Sequence, residues 1–229
     1  MASVCPFGPL IYCGDIRGEF LDFLLKHLDE MRTASDASYR LVGNIKHQVD
    51  CPYPVNQFMG HLKPHVFSYL KSNYDREVEI NNYFKKDNKK DNIDQWIGGL
   101  DPTDSKVKFN LGGGPWINFQ QKNEFNPLHN HRGVISAVLF IDIPDDLEVE
   151  RKTSGFQAEA SGCLDLVHND QHIVVHPRAG DMYMFPSYLW HIVYPYKSDV
   201  ERISMSFNLT EVSIDEKRLA TGLDSILQR

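Results

Sequence analysis

No stretch of this 229-residue chain approaches the ~20 consecutive apolar residues that a membrane-crossing helix needs. The start, Met1 to Gly14, lacks the basic segment and long apolar run of a secretory signal. Together these absences point to a cytoplasmic protein. Cysteine is scarce: Cys5, Cys13, Cys51 and Cys163 are the four, none forms a C-x-x-C pair, and no spacing suggests a zinc finger, so they read as free thiols in a reducing compartment. An excess of positive charge is also missing. Lys plus Arg number 24 against 31 Asp plus Glu, a net charge of -7, which argues against a broad nucleic-acid footprint but leaves room for one local arginine to hold a small anion. There is no internal repeat. The glycine run Gly112-Gly113-Gly114 lacks the Lys and Ser/Thr of a phosphate loop and precedes Pro115 and a strand, so it reads as a turn. The charged run Lys85 to Asn92 reads as a solvated loop.

What is present suits a globular domain: 41% hydrophobic and 24% charged residues. A short strand at 7–12 leads to an amphipathic helix over 16–33, where Phe20, Phe23, Leu24, Leu28 and Met31 repeat at mostly three- and four-residue spacing and Asp15 stands where a cap is wanted. Residues 34–57 read as loop. A second helical pattern (Phe58, Leu62, Val66, Phe67, Leu70) contains Pro64, which predicts a break, kink or start there. After residue 105 the helical spacing gives way to short β-rich runs at 115–121, 134–143, 172–176, 181–185, 190–196 and 202–210, a rhythm that argues for a sandwich or barrel. The nearly all-apolar run Val134 to Ile141 predicts a strand buried on both faces. Ser213-x-x-Glu216 forms a capping box ahead of Leu219, Leu223, Ile226 and Leu227, predicting a C-terminal helix. The whole, 1–229, reads as a single domain: mostly helical support over 1–105, a β core over 106–210 and a closing helix over 211–229.

The chemistry-bearing residues lie in the β-rich part. His129 and His131 stand two apart, so on a strand both imidazoles face one way and can converge on a metal where the strand ends; the plainer reading is two surface histidines beside a turn. His191 follows the apolar run Phe185 to Trp190, and a buried histidine needs a hydrogen-bond partner or a metal. Arg202 lies eleven residues on, across a turn near 197–198 (202 − 191 = 11), which places it on the adjacent antiparallel strand with Ser204 on the same face. A guanidinium with a neighbouring hydroxyl suits a carboxylate. Asn118 and Asn208, and with less reason Phe119 and Tyr183, are candidates to line the same pocket; a buried amide needs a partner, whereas an aromatic there is more simply core. Trp116 and Trp190 read as core. His168, His172 and His176 recur every four residues, but the stretch reads as strand, so they converge poorly for a metal. His27, His47, His61 and His65 read as surface or capping groups.

The ordered set Trp116-x-Asn118, Asn126-Pro127-x-His129-x-His131, Ser136 to Pro144, Gly180-Asp181 through Phe185-Pro186-Ser187 to His191, and Glu201-Arg202-x-Ser204-x-Ser206-Phe207-Asn208 resembles the iron(II)- and 2-oxoglutarate-dependent oxygenases built on a double-stranded β-helix. The resemblance is specific over 116–208 and extends to relatives found in phage genomes, which opens a phage-encoded origin. It implies a mainly β fold, a jelly-roll (cupin-like) core with flanking helices, and an oxidoreductase that uses Fe(II), 2-oxoglutarate and O2. It implies iron ligands at His129 and His191, and Arg202 binding the distal carboxylate of 2-oxoglutarate with Ser204 assisting. The usual third ligand, a carboxylate two residues after the first histidine, is replaced here by His131, leaving the site more positive and also suited to zinc; Asp142 is the alternative carboxylate. No residue beyond the metal site is implied as catalytic. The implied partners are 2-oxoglutarate and an unnamed peptide or small-molecule substrate, with loops 34–57, 86–105 and 145–170 as candidates for choosing it; relatives often form homodimers. Competing readings are a three-histidine cupin-like metalloenzyme that does not use 2-oxoglutarate and a non-catalytic β-barrel of a virion or assembly.

Overall fold

The structure is a computed structural model, and it describes residues 8–54, 56–83, 107–153, 155, 158–214 and 217–218. Cys5, the run Lys85 to Asn92 and the loop 86–105 lie outside them. Two antiparallel sheets face each other. Eight strands of the core are β4 (Trp116–Gln120), β5 (Asn126–His129), β6 (Ile135–Asp142), β7 (Leu164–His168), β8 (Gln171–Val175), β9 (Asp181–Pro186), β10 (Trp190–Val193) and β11 (Arg202–Ile214). The larger sheet runs in the order β1 (Tyr12–Asp15), β9, β6, β11, β4, β2 (Gln48–Asp50), with β3 (Val107–Leu111) and β12 (Lys217–Arg218) also paired to β11; the smaller runs β5, β10, β7, β8. The chain alternates between the sheets as it winds, which is the course of a double-stranded β-helix.

Alternation along the strands sorts the side chains. On β11, Ile203, Met205, Phe207 and Leu209 turn outward from the barrel into a core shared with Phe20, Leu24 and Met31 of the first helices and Phe58, Leu62, Val66 and Tyr69 of the long helix. Strand β6 is buried on both faces, as its apolar run requires: Ile135, Leu139 and Ile141 join the helical side, whereas Phe140 packs with Leu164, Leu166, Val175, Phe185 and Leu189 between the sheets. The helices that cover the larger sheet are α1 (Glu19–Lys26), α2 (Leu28–Arg32) and α3 (Asn56–Tyr83).

Five local expectations change. The helix over 16–33 is split at His27, because the imidazole Nδ1 takes the Phe23 carbonyl at 2.7 Å and the His27 N–H turns to Leu24 instead. Asp15 does not cap it; its carboxylate accepts from the Arg17 N–H and guanidinium. Helix α3 runs through Pro64 without a break. The loop readings of 34–57 and 145–170 hid β2, β7 and a helix, α4 (Asp145–Thr153), whose first turn carries Asp145, Asp146 and Glu148 and whose last carries Arg151 and Lys152, matched to the helix dipole. The C-terminal helix is corrected where it can be seen. Ser213 is not a cap but a strand residue, paired with Lys108 of β3 and Arg218 of β12, since open sheet edges on both sides of β11 satisfy its backbone better than a new helix start would. Residues 219–229 lie outside the described part.

Candidate metal centre and anion pocket

Three histidines meet in the space between the sheets. His129, the last residue of β5, is the direct cross-strand partner of His191 on β10. His131 lies just beyond β5, held by its N–H to the Ser187 carbonyl at 2.9 Å. Ring centroids are 4.1 Å apart for His129 and His191, 4.9 Å for His129 and His131, and 5.0 Å for His131 and His191. One ring nitrogen from each lies within 4.8 Å of the other two. Phe185 meets His191 edge-on and Trp116 meets His131 edge-on, so aromatic walls bound the cluster.

Hydrogen bonds select the tautomers. His129 Nδ1 lies 2.7 Å from the Pro127 carbonyl and His191 Nδ1 lies 3.0 Å from the Leu189 carbonyl. A carbonyl can only accept, so each Nδ1 carries the proton and each Nε2 keeps its lone pair. Carbonyl-anchored imidazoles of this kind are what an ordered metal site requires. The Asn126 amide nitrogen sits 3.1 Å from His129 Nε2 and donates to that lone pair. Burial, together with the neighbouring imidazoles, disfavours the charged forms: the pKa of His131 falls to about 4 and that of His191 to about 3, and burial lowers that of His129 as well. The donor set is therefore neutral at ordinary pH, as metal binding demands, and these residues fit a divalent first-row cation.

Beside the cluster, one face of β11 is polar. Arg202, Ser204, Ser206 and Asn208 point inward, opposite Gln120, Asn118 and Trp116 of β4 and Phe140, Val138 and Ser136 of β6. Arg202 is 2% exposed, its guanidinium carbon 4.9 Å from the centre of the Phe140 ring. Its Nη1 donates to Gln120 Oε1 at 3.0 Å, its Nε has no partner, and no carboxylate within the described residues pairs with it. Burial pulls its pKa down to about 10, still a cation at neutral pH. Ser204 and Asn118 are buried beside it, and Asn118 Oδ1 has no partner. At the other end, Ser136 donates to Asn208 Oδ1 at 2.7 Å and lies 3.0 Å from the Ser187 hydroxyl. The three histidines, Arg202, Ser204, Asn118 and Asn208 all line one cavity of about 240 Å³, whose rim includes Arg40, Leu41, Val42 and Trp116.

Other candidates fall elsewhere. Phe119 faces the opposite way, under the Arg32 guanidinium and stacked on His47. Tyr183 packs against Phe140 and does not line the cavity. His172 bonds Asp165 on the neighbouring strand and does not gather with His168 and His176 into a cluster. Asp142 is not part of the histidine group. Of the helix and loop histidines, His61 stacks on Phe20 and His65 bonds the Tyr12 hydroxyl. Trp116 is not simply core, since it borders the cavity, and Trp190 is 48% exposed. Sequence reasoning passed over Gln120, Asn126, Ser136 and Ser187. Gln120 was legible from alternation, being the third inward position of Trp116-x-Asn118-x-Gln120.

The two sheets bring three histidines and an arginine without a carboxylate partner among the described residues around one cavity, a donor set suited to a divalent cation beside a place for an anion. Residues 114–208 match the family model described as "Putative 2OG-Fe(II) oxygenase". That stretch is thus similar to the 2OG-Fe(II) oxygenases, a class of oxidoreductases that use iron(II), 2-oxoglutarate and dioxygen. Among solved structures it is similar to a 2OG-Fe(II) oxygenase family oxidoreductase from Burkholderia pseudomallei (16% identity, 59% of this chain and 57% of that one, TM-score 0.36), to a Pseudomonas putida prolyl-4-hydroxylase (16%, 87% and 91%, 0.46) and to the carbocyclase SnoK of nogalamycin biosynthesis (12%, 94% and 85%, 0.49). The match spans little more than half the length of the first of these. No curated protein matches the chain. Among the described residues no helix is long and apolar enough to cross a membrane.

Proposed function

We propose that this chain is an iron(II)- and 2-oxoglutarate-dependent dioxygenase that hydroxylates a peptide or small-molecule substrate and releases succinate and carbon dioxide. The observation that carries the reading is the shared cavity: the histidine cluster and a buried arginine without a counter-ion open onto the same space. His129, His131 and His191 would hold the iron, and with it bound the site supplies oxygen activation coupled to oxidative decarboxylation of the cosubstrate. Arg202 would receive the distal carboxylate of 2-oxoglutarate, with the Ser204 hydroxyl donating beside it and Phe140 keeping water from the guanidinium. Asn118 and Asn208 complete the cosubstrate wall. Their different states fit two positions, since Asn118 Oδ1 lacks a partner whereas Asn208 Oδ1 is held by Ser136.

Three neutral ligands in place of two histidines and a carboxylate leave the centre one positive charge higher, which favours a dianionic chelator. A three-histidine enzyme that does without 2-oxoglutarate would need the buried arginine only if its own substrate were an anion. The test is anaerobic. Iron(II) and then 2-oxoglutarate are added to metal-stripped protein, and the weak visible charge-transfer band of the chelate is followed in wild type, His131→Ala and Arg202→Ala. A band in wild type that fades in both variants is the expected result. Zinc binding without any band with iron(II) and 2-oxoglutarate would sink the proposal and favour the other metalloenzyme class.

A further inference from the structure

We infer that Gln120 is a positioning residue that aims Arg202 into the cavity while leaving its charge free, and so sets the site's affinity for a dicarboxylate; this rests on the function proposed above. Gln120 is fully buried and takes part in three directions at once. Its amide Nε2 donates to the Glu124 carbonyl at 2.7 Å and to the Tyr194 carbonyl at 3.2 Å. Turning the amide over would set its oxygen against two carbonyl oxygens, so the orientation is determined by the backbone around it. Oε1 is thereby left to accept from Arg202 Nη1 at 3.0 Å.

The backbone of the pair is tied as well. The Tyr196 hydroxyl donates to the Gln120 carbonyl and accepts from the Arg202 N–H at 3.2 Å, and the two residues are register partners on β4 and β11. Arg202 is thus oriented from both ends without a carboxylate. A Glu at position 120 would have nearly the same shape and could also accept from the guanidinium. It would also neutralise it, and would press its own charge on the Glu124 and Tyr194 carbonyls. A neutral acceptor orients the cation and leaves its attraction for an incoming carboxylate intact. The glutamine amide is the one side chain of this length and shape that does both.

The experiment uses the full chain loaded with iron(II) under anaerobic conditions and titrated with 2-oxoglutarate by calorimetry and by the visible band. In Gln120→Glu the affinity for 2-oxoglutarate is expected to fall by about 10- to 100-fold, the range of one charge-assisted hydrogen bond, while iron(II) affinity stays as in wild type. Gln120→Met keeps the length, removes the acceptor and frees the guanidinium; a smaller loss, several-fold, is expected, again with iron(II) binding unchanged. In turnover, the KM for 2-oxoglutarate rises in both variants, more than kcat falls. If both variants that fold bind 2-oxoglutarate as wild type does, the inference is overturned and the function stands. If Gln120→Glu does not fold, Gln120→Met decides by the same criterion. If iron(II)-loaded wild type itself binds no 2-oxoglutarate, the function fails before Gln120 is at issue. A parallel loss of iron(II) affinity in the variants would show a merely structural role and also overturn the inference.

Discussion

His129 and His191 are direct partners across the β5–β10 pair, with ring centroids 4.1 Å apart. Each imidazole is anchored through Nδ1 to the carbonyl two residues before it in the chain. The backbone that forms the strands therefore also chooses the tautomers, leaving each Nε2 with a lone pair, that of His129 met by the Asn126 amide.

The third histidine can be tested by exchange. His131→Asp recreates the commoner pattern of two histidines and one carboxylate and is expected to retain iron(II), whereas His131→Ala is expected to weaken iron(II) binding by at least about tenfold. Metal titration of the two variants beside wild type checks this. Equal affinity in His131→Ala and wild type would remove His131 from the ligand set.

The cluster should respond to pH unlike ordinary histidines. Its imidazoles have folded-state pKa values below the usual 6.5, with His131 near 4 and His191 near 3, burial being the main cause. They contribute stability that is fully present above pH 6.5 and is lost as pH falls through the window from 6.5 to about 3, because only the unfolded chain protonates them readily there. The melting temperature of metal-free protein is expected to drop across that window. Replacing His131 with Gln should flatten the slope, which a series of thermal melts at graded pH would show.

Gly133 precedes β6 with φ 134, and a Cβ there would stand 2.9 Å from the Leu209 carbonyl oxygen and 3.3 Å from Ser187 Oγ. Gly133→Ala is expected to destabilise the fold by about 1–3 kcal/mol. Since Ser187 also holds the His131 N–H through its carbonyl, metal affinity should fall with it. Denaturant unfolding and a metal titration measure the two effects; an unchanged midpoint would mean the turn relaxes freely.

The turn between β10 and β11 hangs on a carboxylate. Glu150 of α4 accepts from the N–H groups of Lys197 and Ser198 and from the Ser198 hydroxyl. Burial by itself would raise its pKa, but the hydrogen bonds from Ser198, Ser161 and the two backbone N–H groups outweigh it, and the net shift is downward. Glu150→Ala strands those donors and is expected to cost about 1–3 kcal/mol, a fall of roughly 3–10 °C in melting temperature for a chain of this size. Affinity for iron(II) should be unaffected. No change in melting temperature would show that water takes over the donors.

Alternation and spacing were enough to reveal the β core, the double burial of β6, the shared face of Arg202, Ser204 and Asn208, and the pairing of His129 with His131, because a strand's period of two places such residues together whatever surrounds them. Other features depended on contacts between segments distant in the chain. A capping box at Ser213 lost to sheet edges supplied by β3, a helix over 16–33 was cut by the imidazole of His27, and Trp116 borders the cavity with its ring edge-on to His131. Gln120 is the clearest case. Its residue type and its place on an inward strand position were visible from the start, but its role depends on the Glu124 and Tyr194 carbonyls, and only folding brings the latter, 74 residues away, to its amide. Local sequence determined which side chains face the barrel interior; the tertiary structure decided which of them are held in place, which stay neutral and which charge is left without a partner.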